Sequence, residues 1–406
     1  MLYLSRGGDS VGISSDGDDI RPFVVDVPEE ELQYLRAKIE LTRWPDELPD
    51  VGWTYGVPRG YLQELAQYWA RSYDWRAQEA LLNQYPQFAT TVDGTNLHFY
   101  HVKSRHPGAF PLLLAHGFPG SVVEFLQVIG PLTDPVAYGG EARDAFHVVV
   151  PSIPGYGFSG PTVSTGWHPY RAGQAFATLM GRLGYQQYGA HGTDWGSRIV
   201  RDMGLIDPEH LVAIHRTILH APPRPDDDLS TYSLSDIERL QDIAHFGAEL
   251  SGYMLIQSTR PQTLAYALND SPVGQLAWIV EKFKEWTDSV DVPEDAVDRD
   301  LMLTNVMLYW LTQTAGSSSR LYWELRHWNQ NDRPDPRVNW NTPVPSLVPT
   351  GVAVFPREVM RPLRRLSEET DNIVHWSEFD RGGHFAGLEV PDLLVGDVRA
   401  FFRIFR

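Results

Sequence analysis

Gly192-Thr193-Asp194-Trp195-Gly196 has the small-x-nucleophile-x-small pattern of a sharp turn between a strand and a helix. The glycines suit such a turn because a larger side chain would clash with the tight backbone. Asp194 takes the nucleophile's position. Its carboxylate is ionised at neutral pH, since a free Asp titrates near ~3.9. It can therefore attack an sp³ carbon that bears a leaving oxygen or halogen, without a base, and form an alkyl ester. The alternative role for this Asp is a helix N-cap.

Composition narrows the classes of function. The chain has 406 residues, 42% of them hydrophobic, and a net charge of −18. It offers no basic stripe for phosphates, which argues against a nucleic-acid partner. The absence of cysteine excludes disulfides, thiolate chemistry and Cys-ligated zinc. No run reaches the ~18 apolar residues of a membrane span. Residues 1–20 lack a signal-peptide segment, so we expect a flexible tail and a cytoplasmic protein.

Before the first buried strand, the sequence predicts helices and a hairpin. Residues 28–41 and 61–81 have the periodicity of amphipathic helices, the second with a stripe of Leu62, Leu65, Trp69 and Tyr73. Residues 88–102 alternate around Asp93-Gly94, which is typical of a two-residue hairpin turn.

The rest of the chain alternates in the manner of an α/β fold. Residues 112–115 and 148–150 are short apolar runs typical of strands that are buried on both faces of a parallel sheet. Helices replace this pattern over residues 226–340, and strand patterns return at 351–355 and 373–376, followed by a helix at 391–405. We therefore predict a mostly parallel sheet flanked by helices, with a helical lid insertion and an N-terminal helical and hairpin extension. The predicted divisions are a tail (1–20), an N-terminal region (21–110), the first half of the core (111–221), the lid (222–345) and the second half of the core (346–406), with lid hinges at 221–225 and 334–349.

Two turns at the ends of predicted strands supply partners for Asp194. His116-Gly117-Phe118 follows the first buried strand, and we expect the backbone N–H groups of Phe118 and Trp195 to form an oxyanion hole. His384, after the last strand, is predicted to activate water on the ester, since its free pKa near ~6.5 suits a base.

An acid is needed to orient His384, and a donor is needed for an alkoxide. Glu358 follows the strand at 351–355 and is the predicted orienting acid, with Asp335, Asp371 and Asp380 as rivals. A tyrosine phenol could stabilise the alkoxide of an opened epoxide. Spacing alone does not choose among the candidates Tyr232, Tyr253, Tyr266, Tyr309 and Tyr322.

Four motifs in order, at residues 116–121, 192–197, 269–274 and 382–386, resemble the microsomal-type epoxide hydrolase family. The resemblance runs from about residue 21 to the C-terminus and implies an α/β-hydrolase fold. It implies that Tyr253 and Tyr322 bind the epoxide oxygen, and it supports Glu358 as the acid. It also implies a small-molecule epoxide and water as reactants, without a cofactor or metal. We expect His116, Phe118 and Trp195 to contact the substrate. A homodimer is compatible with the sequence. Thr193 and the polar residues 188–191 depart from the family's more apolar approach to the nucleophile.

Two rival functions stay open on the sequence. A haloalkane or haloacid dehalogenase of the same fold would share Asp194 and His384 but would need halide donors in place of the tyrosines. A hydrolase-fold ligand binder without activity would not need the full catalytic set. The lid residues Trp278, Trp286, Trp310 and Trp323 favour a bulky apolar substrate if they line the site rather than the lid core.

Overall fold

A single sheet organises the computed structural model, which describes residues 19–221, 223, 227–329, 334 and 345–406. Its strands are β1 Arg21–Phe23, β2 Gln87–Val92, β3 Thr95–Val102, β4 Phe110–Ala115, β5 Phe146–Pro151, β6 Tyr188–Gly192, β7 Leu211–Arg216, β8 Pro349–Val354 and β9 Asn372–Glu378. The strands are ordered β1-β2-β3-β5-β4-β6-β7-β8-β9. β5, β4, β6, β7, β8 and β9 are parallel, whereas β1, β2 and β3 join antiparallel at one edge. The predicted α/β fold class is confirmed.

Helices lie on the sheet and above its carboxyl edge. The α-helices are α1 Glu29–Glu40, α2 Arg59–Arg71, α3 Trp75–Leu82, α4 Leu126–Thr133, α5 Pro169–Arg182, α6 Asp194–Ile206, α7 Leu234–His245, α8 Gly252–Thr259, α9 Pro261–Asp270, α10 Pro272–Trp286, α11 Arg299–Thr312, α12 Ala315–His327, α13 Arg364–Thr370, α14 Ala386–Glu389 and α15 Pro391–Phe402. Within the described part of residues 222–345 there are helices and no strand, as the sequence predicts. The proposed hinges at 221–225 and 334–349 lie largely outside the described residues, as do residues 1–18 of the predicted tail.

The N-terminal hairpin extends the main sheet. Asp93 and Gly94 join β2 to β3 with φ of 49° and 73°, the positive values that a tight hairpin turn requires. The predicted hairpin is confirmed, and β3 continues the sheet by pairing with β5. Sequence patterns did not predict β1, because three residues are too few to show alternation.

The single helix predicted over residues 61–81 is wrong, because the chain forms α2 and α3 with a break between them. The Asp74 side chain accepts a hydrogen bond from the Ala77 N–H at 3.2 Å and caps a new helix. A side chain that caps in this way competes with continuation of the preceding helix. The predicted apolar stripe is nevertheless buried: its residues Leu62, Leu65, Trp69 and Tyr73 all belong to the core.

The polar approach to the nucleophile is accommodated by a buried hydrogen-bonded chain. His191 Nδ1 and His215 Nδ1 lie 2.9 Å apart, and His215 Nε2 lies 2.9 Å from an Asp397 carboxylate oxygen. Burial, followed by the neighbouring His215, holds the pKa of His191 well below its usual 6.5, so this ring is neutral. The other Asp397 oxygen accepts from His375. The polar residues in β6 therefore link β6, β7, β9 and α15.

Among the helices that the structure describes, none combines the length and apolar character that a membrane crossing requires. Cytoplasmic location and a homodimer stay predictions.

Replacing Gly196 by alanine should destabilise the fold. A Cβ at Gly196 would lie 1.9 Å from the Ala115 carbonyl oxygen, and backbone on both sides cannot yield cheaply. We expect Gly196→Ala to lower the free energy of unfolding by about 3 kcal/mol or more, measured as a fall in Tm and in soluble yield. Gly181→Ala is the matched control, because a Cβ on this α5 glycine would meet no atom within 4 Å. Equal melting temperatures for the two variants would contradict the close approach.

Candidate active site

Asp194 sits in a strained turn at the carboxyl edge of the sheet. β6 ends at Gly192 and α6 begins at Asp194, whose φ of 44° lies in the left-handed region. Such a conformation costs a non-glycine residue on the order of 1–3 kcal/mol and persists where the surroundings enforce it. The enforcement is visible at Gly117, where a Cβ would lie 2.0 Å from Asp194 Oδ1. The two turns therefore fit together only because Gly117 has no side chain.

The predicted oxyanion-hole residues flank this carboxylate. The Phe118 N–H donates to Asp194 Oδ1 at 2.7 Å. Trp195 lies in the first turn of α6, where backbone N–H groups have no acceptor within the helix and the helix dipole favours negative charge. One oxygen of Asp194 is thus held in place by a backbone donor, and Oδ2 is left for chemistry.

His116 has a structural position in the same turn. Its ring is fully buried, with Nδ1 3.1 Å from the Gly117 carbonyl oxygen, and Nε2 accepts from the Ile153 N–H at 3.2 Å. Burial lowers its pKa to about 4. Both ring nitrogens are occupied by backbone, so the ring fastens the turn, and its predicted contact with substrate finds no support in this geometry.

His384 and Glu358 complete a buried triad with Asp194. The His384 Nδ1–H donates to Glu358 Oε1 at 2.6 Å, while Nε2 lies 3.4 Å from Asp194 Oδ2. The second distance is long for a hydrogen bond, so the attraction across it is mainly electrostatic. The His384 N–H also donates to the Trp286 carbonyl at 2.8 Å, which ties the loop to the lid. Gly383 permits this contact, because a Cβ there would lie 2.6 Å from that carbonyl oxygen.

The rival acids lie elsewhere. Asp371 accepts from Arg201 at 3.0 Å and from Arg216 at 3.2 Å, and Asp380 is exposed. Asp335 lies outside the described residues. Of the described candidates, Glu358 is the one in contact with His384.

The two carboxylates determine the charge of His384. Burial lowers the pKa of this imidazole, but Glu358 and then Asp194 outweigh burial and hold the pKa well above its usual 6.5. The resting site therefore contains an imidazolium between two carboxylates. Loss of either negative charge would release the proton more easily.

Tyr253 on α8 and Tyr322 on α12 line the same cavity as Asp194. Their rings are 5.9 and 5.8 Å from the Phe118 ring and 6.0 Å from each other, and the Tyr322 ring is 4.8 Å from Trp195. Burial is the main cause that raises both phenol pKa values, and the Asp194 charge adds to it. Both hydroxyls therefore keep their protons and can donate hydrogen bonds.

The other candidate tyrosines are engaged or remote. Tyr309 donates to the Gly120 carbonyl at 2.7 Å, and Tyr232 donates to Asp227 at 2.9 Å. Tyr266 is 72% exposed. The lid therefore brings the two motif-matched tyrosines to Asp194.

Sequence reasoning missed two buried ionisable residues near the site. Burial raises the pKa of Glu124 to about 8, and Asp194 and His384 lie within electrostatic reach of this carboxyl. Glu124 follows Ser121 by three residues, which is the spacing of a capping box, so the sequence pattern predicts a helix cap and no role in the site. Lys282 Nζ lies 4.8 Å from the centre of the Tyr253 ring. The nearby Glu281, Lys284 and Glu285 are charged, which is typical of a solvated helix face. Within the described ranges, no three His, Asp or Glu side chains form a group that could hold a metal ion.

Two family models match the chain. The model described as "Epoxide hydrolase N terminus" matches residues 20–125, and the model of the "alpha/beta hydrolase fold" matches residues 111–389. Epoxide hydrolase 1 of Sus scrofa is 38% identical over 96% of this chain and 89% of its own length. A Stigmatella aurantiaca protein, whose name assigns it provisionally as an epoxide hydrolase, is 45% identical over 95% of this chain and 86% of its own.

Solved structures agree with these matches. The juvenile hormone epoxide hydrolase of the silkworm Bombyx mori has a TM-score of 0.85 at 31% identity, with 96% of this chain and 95% of that chain covered. The Aspergillus niger epoxide hydrolase has a TM-score of 0.83 at 30% identity, with 96% and 97% covered. The similarity therefore includes the N-terminal extension, the core and the lid.

The charge arrangement predicts how substitutions shift the pKa of His384. Glu358→Gln and Asp194→Asn should each lower it, Glu358→Gln by more, because the Glu358 charge is the larger of the two raising influences. Histidine-selective NMR titration would measure this, with the signal assigned by its loss in His384→Gln. Asp380→Asn, which removes an exposed carboxylate nearby in sequence, is the control and should leave the titration unchanged. If the His384 titration midpoint in Glu358→Gln and in Asp194→Asn equalled that of wild type, the two carboxylates would not determine the charge of His384.

Proposed function

The chain belongs to the microsomal-type epoxide hydrolase family, and on this premise we propose how its residues divide the conversion of an epoxide and water into a vicinal diol. The protein is a hydrolase of the α/β-hydrolase fold that acts on epoxides. The division of roles rests on one observation. Asp194 Oδ1 accepts from the Phe118 N–H at 2.7 Å, while Oδ2 faces His384 Nε2 at 3.4 Å.

In the first step, Asp194 opens the ring. Oδ2 attacks a ring carbon, the carbon–oxygen bond breaks, and its electron pair goes to the epoxide oxygen. Tyr253 and Tyr322 donate hydrogen bonds to that oxygen as charge develops. Oδ1 stays with the Phe118 N–H and becomes the carbonyl oxygen of the ester.

The ester changes the charge around His384. Asp194 no longer carries a negative charge once it is alkylated, so one of the two influences that raise the pKa of His384 is lost. The imidazolium can then give up its proton. His384 thus releases one proton, and the oxygen of the opened epoxide gains one proton. Alkylation thus converts His384 into the neutral base that the next step requires.

In the second step, His384 activates water. Neutral Nε2 takes a proton from a water molecule, and the oxygen of that water attacks the ester carbon. The oxyanion develops on Oδ1, where the Phe118 and Trp195 N–H groups stabilise it, each by typically ~3 kcal/mol. The bond between the former Asp194 carboxyl carbon and Oδ2 then breaks, and Oδ2 leaves in the diol with the remaining proton of the added water. Asp194 regains its carboxylate with one oxygen from water, and His384 keeps the proton it took. Glu358 orients the imidazole and stabilises its cation throughout.

The tyrosines favour this chemistry over dehalogenation. Phenol hydroxyls suit an oxygen that becomes an alkoxide, and the two tyrosines line the cavity together with Asp194. The buried triad argues against a ligand binder, because a binder has no need of a strained Asp194 at φ 44°.

We also propose that the substrate carries a bulky apolar group beside its epoxide. The cavity above Asp194 is lined near the nucleophile by apolar and aromatic side chains, namely Phe246, Met254, Trp286, Val359 and Met360. Of the four lid tryptophans named from the sequence, Trp286 lines this cavity, and Trp278, Trp310 and Trp323 are absent from its lining among the described residues. Most of these lid tryptophans therefore do not line the cavity, and their number in the sequence says little about the substrate.

Replacing His384 should separate the two steps. His384→Gln should still open the ring, because Asp194 is charged, and should then stall as an ester because no base activates water. Intact-mass spectrometry should show an adduct of one substrate, approaching one per active chain. His327→Gln, an exposed-histidine control, should turn over without an adduct. A folded His384→Gln with neither an adduct nor a stoichiometric burst of epoxide consumption would refute this role.

The tyrosines should act in the first step only. Tyr253→Phe and Tyr322→Phe should each slow pre-steady-state alkylation by about tenfold or more, and the double variant by about 10²–10⁴-fold. Tyr232→Phe is the control, because that hydroxyl bonds Asp227 away from the cavity. Alkylation at the wild-type rate in the double variant would show that other donors bind the oxygen.

A further inference from the structure

The cavity above Asp194 has two chemically different ends. It has a volume of about 110 Å³ and extends from the reacting groups along α6. Its far end, which we call the arginine end, is lined by Arg198, Arg201 and Arg216, together with Thr370 and Asp371. Guanidinium groups have no part in the two chemical steps, so the arginine end requires another explanation.

Helical and strand geometry bring these arginines to the cavity. Arg198 and Arg201 follow Asp194 by four and seven residues, so they share its face of α6. Arg216 is the last residue of β7 and pairs in register with Gly192. The carboxyl ends of neighbouring parallel strands are where α/β folds bind ligands. The arginine end is thus continuous with the catalytic site.

The arginines at this end are tied to one another through carboxylates. Arg198 bonds Asp202 at 2.9 Å, and Asp371 is shared by Arg201 at 3.0 Å and Arg216 at 3.2 Å. Asp371 lines the cavity together with the three arginines, whereas Asp202 does not.

Arg216 is the least compensated of the three. Its side chain is buried, with 4% of its surface exposed, and its Nε–H has no acceptor among the described residues. Burial lowers its pKa to about 10, because the nearby Asp371 offsets only part of the lost hydration. A buried donor without an acceptor is costly, and a bound molecule with a carboxylate oxygen would satisfy it.

We propose that the arginine end binds a carboxylate carried by the epoxide substrate and that Arg216 recognises it. The two oxygens of a carboxylate match the planar donors of a guanidinium, and one of them would accept from the Arg216 Nε–H, which has no acceptor among the described residues. The arginines would also offset the repulsion between this carboxylate and Asp194. The proposal rests on Asp194 being the nucleophile, and it adds a charged terminus to the bulky apolar substrate proposed above.

The helix sets the spacing between the two substrate groups. At about 1.5 Å per residue, Arg198 and Arg201 lie about 6 and 10 Å along α6 from Asp194. An epoxide and a carboxylate at the two ends of an extended alkyl chain fit this span. 7,8-Epoxyoctanoate is a suitable probe, and 7,8-epoxyoctanamide is its neutral counterpart of nearly equal shape.

The test compares kcat/KM for the two probes in wild type and variants at neutral pH. We expect wild type to prefer the acid over the amide by about tenfold or more, since the carboxylate offers the guanidinium a negative charge and two acceptor oxygens, whereas the amide offers one neutral oxygen. Arg216→Gln should reduce this ratio to about 1. Arg216→Lys, which keeps the charge without the planar donors, should give an intermediate ratio.

Arg239→Gln is the matched control. Arg239 is also buried, with 6% exposed, and its Nε also has no acceptor among the described residues, but it bonds Pro362 and Glu378 outside the cavity. Its acid-to-amide ratio should equal that of wild type. A wild-type ratio near 1, or a wild-type ratio retained by Arg216→Gln, would overturn the proposal.

A binding measurement separates failure of this proposal from failure of the catalytic roles. Isothermal titration of wild type with octanoate and octanamide needs no turnover and no variant. Tighter binding of octanoate by about tenfold supports the arginine end even if neither epoxide probe is hydrolysed, which would instead count against the catalytic roles. Equal binding of both ligands overturns the arginine end even if both epoxides are hydrolysed well.

Discussion

The close approach of two turns at the carboxyl edge of the sheet determines the rest of the site. Gly196 packs its backbone against Ala115, and the Asp194 carboxylate occupies the space beside Gly117. This contact forces Asp194 to a φ of 44° and delivers its Oδ1 to the Phe118 N–H. The strain is local, whereas the strands that impose it are buried on both faces. The core therefore holds the nucleophile in a conformation that an isolated turn would not keep.

The charges depend on this placement. Asp194, His384 and Glu358 are two carboxylates and one imidazolium in a site closed by the lid, where each ion is costly unless it is paired. Alkylation of Asp194 removes one charge and leaves His384 paired with Glu358 alone. On the proposed roles, the pKa of His384 falls when Asp194 loses its charge, so the electrostatics place the two steps in order. A substrate that has not reacted leaves the base protonated and water unactivated.

Sequence patterns predicted what depends on neighbours along the chain. Buried strands follow from continuous apolar runs, the hairpin follows from Asp93-Gly94, and the nucleophile turn follows from its glycines. The patterns failed where a side chain interrupts a period, as Asp74 does between α2 and α3. They were also silent where partners are remote in sequence, as with His215 and Asp397, which are 182 residues apart. From the sequence alone, a buried charged residue cannot be distinguished from an exposed one, because its partners lie far away along the chain.

The arginine end is the clearest case of this limit, and it also shows how one helix can serve two purposes. α6 presents its N-terminus to the developing oxyanion, and the face that carries Asp194 continues to Arg198 and Arg201. The proposed chemistry uses the first turn of α6, whereas the following turns carry the arginines of the cavity wall. Helical periodicity keeps their side chains on the cavity wall. On the proposal of a carboxylate-bearing substrate, selectivity for its charge depends on α6 beyond the first turn, while the reacting group lies in the first turn.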